Sequence, residues 1–161
     1  MCGRLAAGFL TRCVCFNMNV TLASIMGTFY TQCVIQNHVD RSQRARISKI
    51  LVDTGSEHTW IPEHVLEKIG VTREKKDLPF VMANGQHITR SIGFAIVRVG
   101  DHFTTDEVVF AEKGDLLLLG ARTLEGMNLV VDSRQKKLVA AGPIPAATAR
   151  QARKRTSTQT A

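Results

Sequence analysis

Asp53 follows three apolar residues, Ile50, Leu51 and Val52, and precedes Thr54, Gly55 and Ser56. A carboxylate at the end of an apolar strand is costly unless hydrogen bonds or charges compensate it. Its chemistry is proton transfer: ionised it is a general base, protonated a general acid. Asp and Gly are also turn formers, so the triplet alone fits a plain turn. Other chemistry-bearing side chains do not gather. Cys13-Val-Cys15 lacks a zinc spacing, and neither Cys2 nor Cys33 completes a second pair. His58 and His64 are six positions apart and do not share a helix face. No metal and no cofactor are expected.

The elements that must hold Asp53 are mostly strands. Aromatic and β-branched residues from Gly27 to Gln36 predict a strand, and the polar run Asn37–Arg46 a hairpin loop. Ile47–Val52 is a second strand ending at Asp53. A short strand leads from Thr59 to Pro62, and Pro62 and Gly70 bracket a helix over Glu63–Ile69. Asn84-Gly85 lies between two strand-like runs and signals a tight hairpin in which both residues accept positive φ. Gly100-Asp101 marks another turn. Leu116–Gly120 reads as a strand buried on both faces, followed by a short helix ending near Gly126 and a last pair of strands turning at Asp132–Gln135. About seven short strands and two short helices are expected, an all-β domain with no internal repeat.

The run Leu51–Pro62, LVDTGSEHTWIP, resembles the active-site loop of aspartic proteases, where Asp-Thr/Ser-Gly follows an apolar strand. Ser56, Trp60 and Pro62 extend the likeness to the pepsin-type pattern. Leu118-Leu119-Gly120 and the helix after it resemble the second element of such a lobe. The 65 residues from Gly55 to Gly120 suit one lobe rather than two. Phe80–Phe94 lies where the family carries its flap. The resemblance covers about Met26 to Val139 and points to the retropepsin-like family, with a closed β-barrel lobe, one flap hairpin and one or two short helices.

That resemblance implies an aspartic endopeptidase acting on peptide or protein substrates. The chain has a single Asp-Thr-Gly. One carboxylate must activate water while a second, protonated, polarises the scissile carbonyl. Two carboxyls about 3 Å apart share one proton. One Asp53 per chain supplies the pair only across the two-fold axis of a homodimer. By resemblance Thr54 bonds across that axis, Gly55 lets the backbone pass the carboxylate, and Asn84 and Gly85 sit at the flap tip over substrate. Ser56 stands where retroviral enzymes often have alanine. Its hydroxyl is expected to donate to the ionised carboxylate and move the pH profile downward. Trp60 is expected in the core, and His58 and Arg122 as surface or structural residues. The competing class is a catalytically silent binding or assembly module of the same fold.

Charge and composition set the remaining expectations. The net charge is +7 over 161 residues. Residues 50–142 carry 11 basic and 13 acidic side chains, residues 1–49 six and one, and residues 143–161 four and none. The basicity thus falls toward the ends, which suits solvated tails, and nucleic acid is not an expected partner. No apolar run reaches the length of a membrane span, and nothing demands an oxidising compartment, so a cytoplasmic protein without a membrane partner is expected. The first residues resemble a signal peptide only faintly, because Arg12 interrupts the apolar run. The expected organisation is a poorly ordered extension over 1–25, the protease-like domain over 26–142 and a disordered basic tail over 143–161.

Overall fold

Alternation of side chains builds the sheet. In β1 (Phe29–Asn37) the odd-numbered Phe29, Cys33, Ile35 and Asn37 are buried, and the even-numbered positions face outward. The computed structural model describes residues 29–144. The expectations for residues 1–25 lie outside these, as do those for the tail beyond Ile144.

Eight further strands and two helices follow: β2 (Arg44–Val52), β3 (Thr59–Pro62), α1 (Glu63–Lys68), β4 (Lys75–Val81), β5 (His87–Val99), β6 (His102–Ala111), β7 (Leu118–Leu119), α2 (Ala121–Gly126), β8 (Leu129–Asp132) and β9 (Lys137–Ala140). The main sheet runs β1-β2-β7-β3-β6-β5-β4, and β1 also pairs with β5. Six strands therefore close into a ring, and β4 hangs from its edge. Closure removes the open edges that an antiparallel sheet would otherwise expose. Strands β8 and β9 form a separate hairpin.

The ring is filled by Ile35, Ile50, Ile61, Leu66, Val97, Val108, Phe110 and Leu119, each at most 1% exposed. A second, smaller cluster joins Trp60, Ile92, Val109 and Ala111 to Leu78, Phe80, Met82 and Ile88 from the β4–β5 hairpin. The hairpin is thus packed down on the barrel by its own apolar underside.

Strand β5 does two jobs. Its first half pairs with β4, from His87↔Val81 to Ile92↔Lys75. Its second half pairs with β1, from Ala95↔Asn37 to Arg98↔Val34. One rigid strand thereby carries the hairpin out from the barrel wall. No helix among the described residues is long and apolar enough to cross a membrane.

Three expectations need correction. Nine strands replace the expected seven: the runs read as strands each form one, β7 and the β8–β9 hairpin included, so the expected total is low and not the placement. The apolar run Leu116–Gly120 is a strand only at Leu118 and Leu119, where β2 and β3 offer partners, and Leu116 is 64% exposed. The Asn84-Gly85 turn is not a two-residue turn with positive φ at both positions. Only Gly85 has positive φ, +80°. Gly85 N–H donates to the Met82 carbonyl at 2.8 Å, and Met82 N–H to the Gln86 carbonyl at 2.8 Å. That is a three-residue loop ending in a left-handed glycine.

Candidate active site

Asp53 leaves β2 where the parallel strand β7 ends. Its N–H donates to the Leu119 carbonyl at 3.1 Å, which extends the β2–β7 pairing by one bond. The chain then turns, and Gly55 N–H donates to Asp53 Oδ1 at 2.9 Å. A Cβ on Gly55 would lie 3.2 Å from that same oxygen, so glycine leaves room for the carboxylate in this position. Thr54 and Gly55 are exposed, while Asp53 and Ser56 are half-buried.

The loop is fastened from the other side by α2. Ala121 N–H donates to the Ser56 carbonyl at 2.8 Å and Arg122 N–H to the Glu57 carbonyl at 3.1 Å. Backbone donors at the start of a helix lack partners within it, and here the loop supplies the acceptors. Contact is close enough that a Cβ on Gly120 would meet the His58 carbonyl oxygen at 2.4 Å.

A buried polar chain continues inward. Gly120 N–H donates to Thr59 Oγ1 at 3.0 Å. Thr123 gives its proton to Asp106 Oδ2 at 2.7 Å. The 2.6 Å bond between Thr59 and Thr123 must then have Thr59 as donor. Each hydroxyl is both donor and acceptor, and the series ends on a carboxylate. Asp106 Oδ1 accepts from Glu107 N–H at 2.8 Å and faces Arg122 Nη2 at 3.6 Å. Arg122 also donates to Glu107 Oε2 at 3.1 Å, and Glu107 in turn bonds Lys75 of β4. The Lys75 ammonium and the Arg122 guanidinium hold the Glu107 carboxyl below its ordinary range, against the opposing effect of burial. Arg122 is structural, as expected, and its partners now have names.

The carboxylate opens on a cavity of about 220 Å³ lined by Asp53, Gly55, Ser56, Trp60, Met82, Ala83, Leu116 and Leu118. The β4–β5 hairpin forms its far wall. The hairpin faces Asp53 through Met82 and Ala83, while the expected contact residues Asn84 and Gly85 are exposed at the tip and do not line the cavity. Asn84 Oδ1 instead accepts from Gln86 N–H at 2.9 Å and braces the turn. Trp60 packs in the core under the hairpin, 5.2 Å from Phe80 by ring centroids, and also lines the cavity. His58 lies edge-on to Phe80, with its buried Nδ1 lacking a hydrogen-bond partner among the described residues.

Met82, Leu116, Thr59, Thr123 and Asp106 were not singled out from sequence. Thr59 and Asp106 did leave a signal: each is a polar residue at the inward-facing parity of a strand.

Ser56 departs from its expected role. Its Oγ donates to the His58 carbonyl at 2.9 Å. A hydroxyl carries one proton, so none remains for Asp53. The donor to the carboxylate is the Gly55 N–H. Ser56→Ala is therefore expected to lower stability by about 1 kcal/mol and leave the pH–rate profile in place. Chemical denaturation beside kcat/KM at several pH values checks this, and a displaced profile at unchanged stability would contradict it.

A family model described as "gag-polyprotein putative aspartyl protease" matches residues 43–126, just over half of the chain and including the Asp53 loop, the hairpin and α2. The chain belongs to this aspartyl protease family, of retropepsin-like type. A crystal structure of a retropepsin-like aspartic protease from Rickettsia conorii is similar to it with a TM-score of 0.39 and 18% identity, over 65% of this chain and 87% of that one. No curated protein matches the chain.

Proposed function

We propose that this retropepsin-like chain is an aspartic endopeptidase completed by homodimerisation, with Asp53 from each protomer forming the catalytic dyad. The observation that carries this is the fixed Asp53 carboxylate, held by Gly55 N–H and open to a mostly apolar cavity beneath the β4–β5 hairpin.

The chemistry follows from one shared proton. The ionised Asp53 takes a proton from water as the oxygen attacks the scissile carbonyl. The protonated Asp53 of the other protomer gives its proton to the carbonyl oxygen, so a neutral tetrahedral diol forms. Collapse breaks the C–N bond, returns a hydroxyl proton to one carboxylate and delivers a proton to the leaving nitrogen. The pair ends with the single proton it began with. Thr54, exposed beside Asp53, would meet its counterpart across the two-fold axis, and the backing from α2 would keep both loops aligned. Met82 and Ala83 on the hairpin and Leu116 and Trp60 opposite would take the apolar parts of a peptide. A reducing compartment such as the cytoplasm suits the free, buried Cys33 thiol.

The test is dilution. Specific activity on a fluorogenic peptide library should fall as protein is diluted through the dimer dissociation constant, in step with the dimer fraction seen by sedimentation. Constant activity in a monomeric sample would remove the shared dyad.

A further inference from the structure

The remaining feature is a second cavity that shares no lining residue with the one at Asp53. Strand register places Arg46 of β2 opposite Val34 of β1, Val34 opposite Arg98 of β5, and Arg98 opposite Phe103 of β6. Residues paired in register point to the same face, so these four form one row across four strands. Neighbouring strands lie about 4.8 Å apart, which sets the two arginines about 10 Å apart at their Cα atoms. Between them is a cavity of about 270 Å³, with Gln32 and Gly100 on its rim.

The cations of this face, like Lys68, Lys76 and Lys113 elsewhere among the described residues, form no ion pair, but they sit together on the strands β2 and β5 that flank β1. Arg73, Lys75, Arg90 and Arg122 all pair with carboxylates. Arg44, Arg46, Lys49 and Arg98 have no carboxylate partner among the described residues. Arg46 donates to Gln32 Oε1 at 2.6 Å. Arg98 lies 4.5 Å from the ring centre of Phe103, and Lys49 lies 4.3 Å from that of Tyr30. Both rings are exposed, Tyr30 by 57% and Phe103 by 51%. Strands β1, β2 and β5 contain no acidic residue, β6 carries Asp106 and Glu107 beyond Phe103, and Asp40 and Asp101 lie in the flanking turns. Of the six cations in residues 1–49, three lie on β2 and Arg41 lies in the turn before it, so most of that basic end is folded surface.

We propose that the outer face of β2-β1-β5-β6 binds single-stranded nucleic acid, with a backbone phosphate between Arg46 and Arg98 and bases stacked on Phe103 and Tyr30. The guanidinium forks suit a phosphate, and the exposed rings suit bases. An acidic peptide would use the forks but leave the rings without a planar partner, which is why nucleic acid is favoured.

The experiment is fluorescence anisotropy of a labelled 12-nucleotide oligouridylate with the full chain, titrated at several salt concentrations. The terminal segments are present in every variant, so their charge cancels in the comparison. Arg46→Gln with Arg98→Gln should weaken binding at least tenfold and reduce the salt slope by about 0.7, the share of the one single-strand phosphate the two arginines hold. Phe103→Leu keeps apolar bulk and should weaken binding about fivefold or more with the slope unchanged. Thermal melts and peptide hydrolysis should match the parent, because none of these residues lines the Asp53 cavity. Equal binding by parent and double variant would overturn the proposal. So would a polyglutamate peptide that binds as tightly as the oligonucleotide and shows the same arginine dependence.

Discussion

Asp53→Asn should reduce peptide hydrolysis by at least about 10³-fold at every pH, because it removes both the base and the proton donor from a two-fold dyad. The amide retains the shape of the carboxylate and can still accept the Gly55 N–H on its carbonyl oxygen. Folding and dimerisation should therefore survive, and the loss should fall on kcat. Parent activity should be bell-shaped in pH, since the dyad works only while it holds one proton. Mixing gives a sharper test. If Asp53→Asn chain replaces parent at constant total concentration and subunits exchange, a parent fraction f leaves active homodimers in proportion to f². Activity that follows f² identifies a site shared between protomers. Activity that follows f linearly would mean that each chain works alone. Hydrolysis by the pure variant, freed of host proteases, would end the aspartic protease reading.

The sequence was most legible where local chemistry dictates structure. Asp-Thr-Gly after an apolar strand, Pro62 and Gly70 around α1, and turns at Gly85 and Gly100 are short-range signals, and each lies where expected. Partners distant in sequence were not legible. Leu116–Leu119 reads as one apolar run, yet Leu118 and Leu119 become strand only because Leu51, Val52 and Trp60 stand beside them. Ser56 next to a carboxylate invited a bond that His58, two residues on, takes instead. The hairpin was placed correctly, but the side chains that face Asp53 depend on the pleat and on the one-residue difference between a two- and a three-residue loop. The relay from Gly120 through Thr59 and Thr123 to Asp106 spans separations of 61, 64 and 17 residues. Only the fold brings those residues together.

Asp115→Ala should cost about 3 kcal/mol of stability at neutral pH and loosen the hairpin over the cavity. Asp115 stands just before Leu116, and Arg90 lies on the hairpin stretch of β5. Arg90 grips Asp115 with both arms, Nε to Oδ2 at 2.7 Å and Nη2 to Oδ1 at 3.0 Å. The side chains are 13% and 7% exposed, so the pair is largely withdrawn from water. Asp115 Oδ2 also accepts from Glu112 N–H at 2.8 Å. Truncation leaves the guanidinium with only Glu112 Oε2, at 3.3 Å, and the Thr89 carbonyl, and a largely buried charge that has lost its main partner is the expensive outcome. The pH dependence has a definite sign. Burial raises the Asp115 carboxyl, but the Arg90 guanidinium and the Glu112 N–H outweigh it and hold the group below its ordinary 3.8. A lowered folded value means that stability is fully present above the unfolded value and is lost as pH falls through the folded one. The gap between parent and Asp115→Ala should thus be constant above about pH 5 and narrow below pH 4, where the parent protonates. Denaturation curves from pH 2 to pH 7 measure that gap, and a constant difference across the acid range would show that the carboxylate charge is not what holds the hairpin stem. KM for peptides should rise more than kcat falls, because the change acts on the wall formed by Met82 and Ala83 and leaves the Asp53 loop on its α2 support.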